Sequence, residues 1–431
     1  MKNQEFILYT KEKSPMLDDF MYFMELVGEQ KEPTSEDSIR YHTCIRSLIE
    51  FAYRYGFTGN LYHAYVTHAL VIDENAFSKS CEMSCDTTIG NVMELVRHDF
   101  TVWQLYFAFD YSLLDTYFHT DYDPILTQFD EKNFPKSEYP DAVVRCIDKL
   151  AKELATEKEV TTFMNDVIEF YKNYGVGVMG LYMAFRIGEM DRKWYLQPIH
   201  KVEQVWLKDL VGYEIPKKKL VENTEAFLAG KKANNCLLYG DAGTGKSSSI
   251  KGLLNEYYPK GLRMIEVYKH QYREMNEVIG KIRNRKYKYI LYLDDLSFEE
   301  FEVDYKYLKA VIEGGLEDKV DNILIYATSN RRHLIQESFR DKELYKEQLH
   351  TSDTIQEKLS LAARFGVSIY FGAPERREFH EIVKNLARRH GIVKDEQALR
   401  LEANQWELSH GGLSGRTAQQ FINYLIGQSE Q

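Results

Sequence analysis

The chain has 431 residues, 44% of them apolar, with 66 acidic against 55 basic side chains and a net charge of −11. That length predicts two or three domains with ordinary cores, and the acidic balance argues against a protein that coats nucleic acid through clustered Lys and Arg. Five cysteines (Cys44, Cys81, Cys85, Cys146, Cys236), scattered and odd in number, argue against a disulfide framework, and with His63, His68 and His98 they meet no zinc spacing.

In chain order, the opening residues lack an apolar core of signal-peptide length, and no run approaches about 18 uncharged apolar residues. We therefore expect a cytoplasmic protein without membrane contact. Residues 1–200 read as a mostly helical domain, rich in Tyr and Phe. Leu17, Phe20, Met21, Met24 and Val27 mark one apolar face, stopped at Gly28. A second helix is predicted from a Thr34/Ser35 cap through Ile45, Leu48, Ile49 and Ala52 to Gly56. Similar faces run over 89–109 and 163–174, separated by a polar loop with Pro135 and Pro140. Aromatic stripes can stack bases, but these lack interleaved Lys and Arg, so core packing is the better reading.

From Val205 the pattern changes to alternating strands and helices. Short apolar runs at 236–239, 264–268, 289–293, 323–328 and 367–371 predict a five-stranded parallel α/β sheet, doubly wound, with ligands at the strands' C-terminal ends. The first run leads into Gly240-Asp241-Ala242-Gly243-Thr244-Gly245-Lys246-Ser247, a full match to the phosphate-binding pattern G-x-x-x-x-G-K-[ST]. Ile250, Leu253, Leu254 and Tyr257 follow at helical spacing. Strand, glycine loop and helix point successive N–H groups at a polyphosphate. The cradle is assigned to Asp241, Ala242, Gly243, Thr244 and Gly245, with Ser248 on the helix. Lys246 is expected against the β- and γ-phosphates, and the Ser247 hydroxyl on Mg²⁺.

Five charged residues (Lys281, Arg283, Arg285, Lys286, Lys288) precede the third strand. They read as a helix end complementing its dipole, with a nucleic-acid surface as the alternative. The strand itself, Ile290-Leu291-Tyr292-Leu293, ends in Asp294-Asp295. Asp294 is assigned to Mg²⁺, directly or through water, and Asp295 to the attacking water; the bland alternative is a turn capped by aspartates. The fourth strand ends in Ser329-Asn330, an amide placed beside those carboxylates. A charged connection spans 331–363, and Arg364 precedes the last strand, facing away from its own loop. Three helical segments follow from Pro374, the last opened by Gly411-Gly412-Leu413-Ser414-Gly415-Arg416.

Together these motifs resemble the AAA+ ATPases. The segments LVGYEIPKKKLVENTEAFLAGKKANNCLLYGDAGTGKSSSIKGLLNEY, LDDLSFEE, LKAVIEGGLEDKVDNILIYATSNRRHL, EKLSLAARFG and GGLSGRTAQQF are similar to the bacterial AAA+ family known as domain of unknown function 815. The resemblance is strong over 205–430, and YGVGVMGLYMAFRI extends it weakly back to residue 174. It implies Walker A roles for Lys246 and Ser247, Walker B roles for Asp294 and Asp295, Asn330 as sensor 1, Arg364 as arginine finger and Arg416 as sensor 2. Val211 and Gly212 fall where such proteins cradle adenine. Two positions depart from the pattern. The second Walker B residue is Asp rather than Glu, and Ala363 stands where similar proteins carry an acidic residue before the finger.

The implied organisation is a helical, partner-binding domain over 1–200, an AAA+ core over 201–373 and a helical lid over 374–431. The implied function is ATP hydrolysis, with Mg²⁺, at the subunit interfaces of a homo-oligomeric ring (hexamers being one expected size), remodelling a macromolecular partner held through residues 1–200. Two alternatives stand beside it: a slow-hydrolysing ATP-gated switch, and a nucleic-acid remodeller akin to replication initiators and helicase loaders. A small-molecule kinase is the least expected, because no second-substrate signature is present.

Overall fold

Polar punctuation sets the helix ends in the first part of the chain. Thr34 caps the helix Ser35–Tyr55: its Oγ1 accepts from Asp37 N–H at 3.2 Å, and Asp37 Oδ2 accepts from Thr34 N–H at 2.8 Å. Such a reciprocal cap stabilises a helix start by about 1 kcal/mol. Gly56, left-handed at φ 77°, ends the helix. The helix before it, Met16–Glu29, passes through Gly28 rather than stopping there.

The computed structural model describes residues 5–29, 32–83, 92–130, 137–190, 193–298, 304–313, 320–330 and 361–429. Cys85, Pro135 and most of the 331–363 connection lie outside these. The chain divides into two compact units, Met1–Tyr182 and Met183–Gln431.

All regular elements described in the first unit are helices. Their core is aromatic: Trp103, Tyr41, Tyr62, Tyr106, Tyr171, Phe20, Phe100 and Phe163 are all fully buried. Tyr62 stacks on Tyr111 with centroids 4.0 Å apart, and Tyr41 on Phe118 at 4.3 Å. The aromatic stripes are therefore packing surface. Buried carboxylates tie loops to this core. Asp99 accepts the backbone N–H groups of Ile7, Leu8 and Tyr9 at 2.8, 2.7 and 3.1 Å.

The second unit holds one seven-stranded sheet, not the five strands expected. Its strands are β1 (Ala184–Met190), β2 (Lys193–Pro198), β3 (Cys236–Gly240), β4 (Leu262–Glu266), β5 (Lys288–Leu293), β6 (Ile323–Ser329) and β7 (Val367–Phe371), in the order β2-β1-β4-β5-β6-β3-β7. The two additional strands form an antiparallel hairpin, and β1 joins β4 in parallel with Ala184 opposite Met264. The hairpin falls within the expected helical region because it carries no apolar run: Arg186, Gly188, Glu189 and Lys193 interrupt it, and only Ala184, Phe185, Ile187 and Leu196 are buried. Trp194 of β2 is held from the side: its Nε1 donates to Glu277, and Lys281 Nζ lies 3.9 Å from the ring centroid.

The remaining strands are parallel; β4, β5 and β6 are nearly all buried, as their continuous apolar runs predict, while the edge strand β7 buries only Ile369 and Phe371. Helices α1 (Glu214–Leu228), α2 (Lys246–Tyr257), α3 (Met275–Ile282) and α4 (Tyr305–Glu313) connect them. Leu238, Ile250, Leu253, Ile290, Leu324 and Tyr326 share one core cluster. Helices α5 (Arg376–Arg389), α6 (Glu396–Ser409) and α7 (Gly415–Ser429) pack a second cluster through Phe379, Val383, Leu399, Ala403, Phe421 and Ile422. Among the described residues no helix is long and apolar enough to cross a membrane.

Candidate functional site

Strand order creates the site. β3 lies beside β6, and β6 beside β5, so the glycine loop, Asn330 and the Asp294–Asp295 pair emerge side by side at the strands' C-terminal ends. Gly245 leads into α2 at φ 87°, and Gly243 at φ 73° leaves no room for a side chain: a Cβ there would stand 2.9 Å from Ser414 Oγ and 3.0 Å from Arg416 Cβ. Arg416 N–H reaches the Gly243 carbonyl at 3.3 Å, so the start of α7 rests on the loop.

Lys246 is buried, and its Nζ donates to the carbonyls of Gly240 and Asp241 at 2.9 and 2.6 Å and to Asn330 Oδ1 at 3.0 Å. Burial pushes its pKa down, against the pull of Asp241, Asp295 and Asp294. Asp294 Oδ1 accepts from Ser247 Oγ at 2.8 Å and from Thr328 Oγ1 at 2.6 Å. Burial alone would raise the Asp294 pKa, but hydrogen bonds, the one from Thr328 foremost, hold it below the usual carboxylate range. Asp295 is left-handed at φ 50°; its N–H donates to Thr328 Oγ1 at 2.9 Å and its Oδ1 accepts from Asn330 Nδ2 at 2.9 Å. Lys246, Asn330 and Asp295 thus form one continuous hydrogen-bonded row.

These groups open into a cavity of about 700 Å³. Residues 242–249, Asp294, Asp295, Asn330, Arg416 and Val211 line it, whereas Asp241, Gly212 and Arg364 do not. Asp241 instead braces the loop, accepting Ala373 N–H at 2.8 Å on Oδ2. Arg364 pairs with Glu313 of α4, an acidic partner from another element where Ala363 supplies none. The far end of the cavity is walled by Leu210, Tyr213, Ile382 and Arg389. Arg389 binds the Asp209 carbonyl at 2.8 Å and its carboxylate at 3.1 Å, joining α5 to the segment before α1.

The pair Ser247 Oγ and Asp294 Oδ1, hard oxygens with the carboxylate held ionised, fits a magnesium ion that takes its other ligands from phosphate and water. Sequence reasoning missed Thr328, Tyr213 and Arg389. Thr328 carried a signal, a hydroxyl at the end of the strand next to two aspartates; the other two become neighbours of the loop only in the folded chain. The basic run 281–288 leads into the N-terminal end of β5, so the length of that strand separates it from the cavity.

Comparison with known proteins gives partial likenesses. A stretch of 73 residues is 33% identical to the replication factor C large subunit of Staphylothermus marinus, covering 17% of this chain and 16% of that protein. The chain thus matches about a sixth of that relative's length. Solved structures of Thermotoga maritima RuvB align over 52% of the chain and 73% of theirs: a single-substitution form at 15% identity and TM-score 0.34, and the Holliday junction branch migration motor at 13% and 0.33. The family model described as protein of unknown function (DUF815) matches residues 181–429. That span is more than half of the chain and contains the whole cavity, and the chain belongs to this family.

Proposed function

We propose that the second unit is an AAA+-type ATPase that binds MgATP in the 700 Å³ cavity and hydrolyses it at the interfaces of a homo-oligomeric ring. The observation that carries this reading is the convergence of four groups from three elements, the start of α2 and the ends of β5 and β6, with Lys246 bonded to Asn330 and Ser247 bonded to Asp294. When bound, Mg²⁺ at Ser247 and Asp294 supplies charge neutralisation on the phosphate oxygens. Loop N–H groups and Lys246 hold the phosphates, and Asp295, with Asn330 beside it, orients the attacking water. Arg364 is turned from its own cavity toward α4, which suits a finger entering a neighbour's site. Such a residue is worth about 10³–10⁵ in rate where it acts. Residues 1–182 then serve as the module that engages a protein partner, and α5–α7 as the lid.

The second reading is an ATP-gated switch with slow turnover. It is favoured by Asp295, whose short carboxylate lines the cavity with Oδ1 already engaged by Asn330 Nδ2. A nucleic-acid remodeller draws less support, since the basic run is drawn into contacts within the unit, Lys281 on Trp194 and Lys288 on the Asp321 carbonyl at 2.8 Å among them.

ATP turnover measured against protein concentration, with mass photometry alongside, tests the shared site. We expect turnover per subunit to rise as oligomers form, and Arg364→Ala to abolish it while ATP still binds. A monomer that hydrolyses ATP and ignores the loss of Arg364 rules the shared site out. Assembly on ATP with negligible turnover selects the switch.

A further inference from the structure

The hydroxyl of Thr328 touches both aspartates at once. The side chain is 2% exposed; Oγ1 donates to Asp294 Oδ1 at 2.6 Å and accepts from Asp295 N–H at 2.9 Å. The ladder between β5 and β6 shows why this matters. At its start, Tyr289 N–H meets the Asn322 carbonyl. Six residues further along both strands, regular pairing would bring Asp295 N–H to the Thr328 carbonyl. That carbonyl is taken instead by Leu296 N–H at 2.7 Å. The chain gains one residue there by turning left-handed at Asp295, and the displaced N–H is caught by the Thr328 hydroxyl. Without that acceptor the N–H would have no protein partner at a half-buried site, and the turn would be disfavoured. The turn in turn delivers the Asp295 carboxylate to Asn330 Nδ2.

We propose that Thr328 is the positioning residue of this site. One hydroxyl orients the carboxylate that faces the metal and holds the backbone turn that aims the carboxylate facing the water. The proposal rests on the MgATP reading above and assigns Thr328 no contact with the nucleotide; it acts through Asp294 and Asp295. Valine has the same shape and lacks the hydroxyl, whereas serine keeps the hydroxyl and loses a methyl.

The test uses the full chain as native protein, Thr328→Val and Thr328→Ser, with ATP affinity measured in Mg²⁺ and in EDTA beside steady-state turnover. We expect Thr328→Val to bind ATP in EDTA as the native chain does, since Lys246 and the loop are untouched. Its gain in affinity from Mg²⁺ should shrink, with KM for MgATP rising no further than that lost gain, and kcat should fall about tenfold or more, the scale typical of groups that orient metal ligands. Thr328→Ser should restore most of both. A merely structural role would weaken binding equally with and without Mg²⁺ and would show no rescue by serine; that result overturns the proposal, as does a Thr328→Val protein that keeps the native Mg²⁺ gain. If Thr328→Val does not fold, Thr328→Ala takes its place under the same criteria. Should the native chain bind MgATP without turning it over, hydrolysis fails as a function while the Mg²⁺ gain still decides on Thr328. A native chain whose ATP affinity ignores Mg²⁺ sinks both readings.

Discussion

Asp295 occupies backbone space that few side chains tolerate. At φ 50° it is left-handed, where Asp and Asn are several-fold enriched among non-glycine residues. That conformation gives a physical reason for the short carboxylate at a position where the AAA+ pattern that the chain resembles has Glu. A longer side chain would have to accept the same turn, and its carboxylate would overshoot Asn330. Asp295→Glu should therefore lower kcat, by about tenfold if the left-handed strain of roughly 1–2 kcal/mol falls on the active geometry. Steady-state turnover at saturating ATP checks this, and a faster Glu variant would show that the turn is incidental. The two aspartates were legible in the sequence because an apolar run ended in them. The turn between them was not, since nothing in Leu-Asp-Asp-Leu announces a positive φ.

At the scale of elements, the loop and α7 form one contact. Gly243 packs against Ser414 and Arg416, and the Arg416 N–H bonds to its carbonyl. Gly243→Ala would place a methyl group into that contact on a left-handed backbone. We expect faster hydrogen exchange over residues 411–418 and ATP binding weakened by about tenfold, while the cluster of Phe379, Leu399 and Phe421 keeps its protection. Unchanged exchange at 411–418 would show that α7 is held by other contacts. The elements themselves differ in how plainly the sequence announced them. Parallel strands inside a sheet covered on both faces need apolar runs, and β3 to β6 appeared as such, with β4 displaced by two residues; the edge strand β7 was legible from its run as well, though it is only partly buried. The hairpin Ala184–Pro198 is stabilised by pairing to β4 and by the Trp194–Lys281 contact, both of which depend on residues distant in sequence. A pattern with four buried side chains and four interruptions could not reveal it.

For the whole molecule, one titratable group in each unit links folding to acid. His68 is buried in the first unit among Phe51, Tyr55 and Tyr139, with Nε2 2.8 Å from the Tyr139 hydroxyl. Burial lowers its pKa from 6.5 to about 3. The folded state therefore keeps the imidazole neutral, while the unfolded chain takes up a proton below 6.5. The contribution of His68 to stability is full above that pH and declines as pH falls toward about 3, with a limiting slope of about 1.4 kcal/mol per pH unit. Urea titrations at about pH 7 and about pH 4, followed by hydrogen exchange across Leu61–Ile72, should show that loss in the native chain and a flatter response in His68→Phe. Equal slopes in the two proteins would assign the acid sensitivity elsewhere. In the second unit the comparable group is Asp294, whose depressed pKa keeps its contribution until pH drops below the ordinary carboxylate range.

The cavity has walls from two separately packed bodies. The sheet and its helices supply the loop and the aspartates, and the cluster of α5 to α7 supplies Arg416, Ile382 and Arg389. On the proposed function, a phosphate drawn between Lys246 and Arg416 acts as a rivet through two plates. Adding or removing one phosphoryl group at the rivet changes the angle between the plates, and a displacement of a few ångströms at the loop is magnified at the far ends of three helices into leverage.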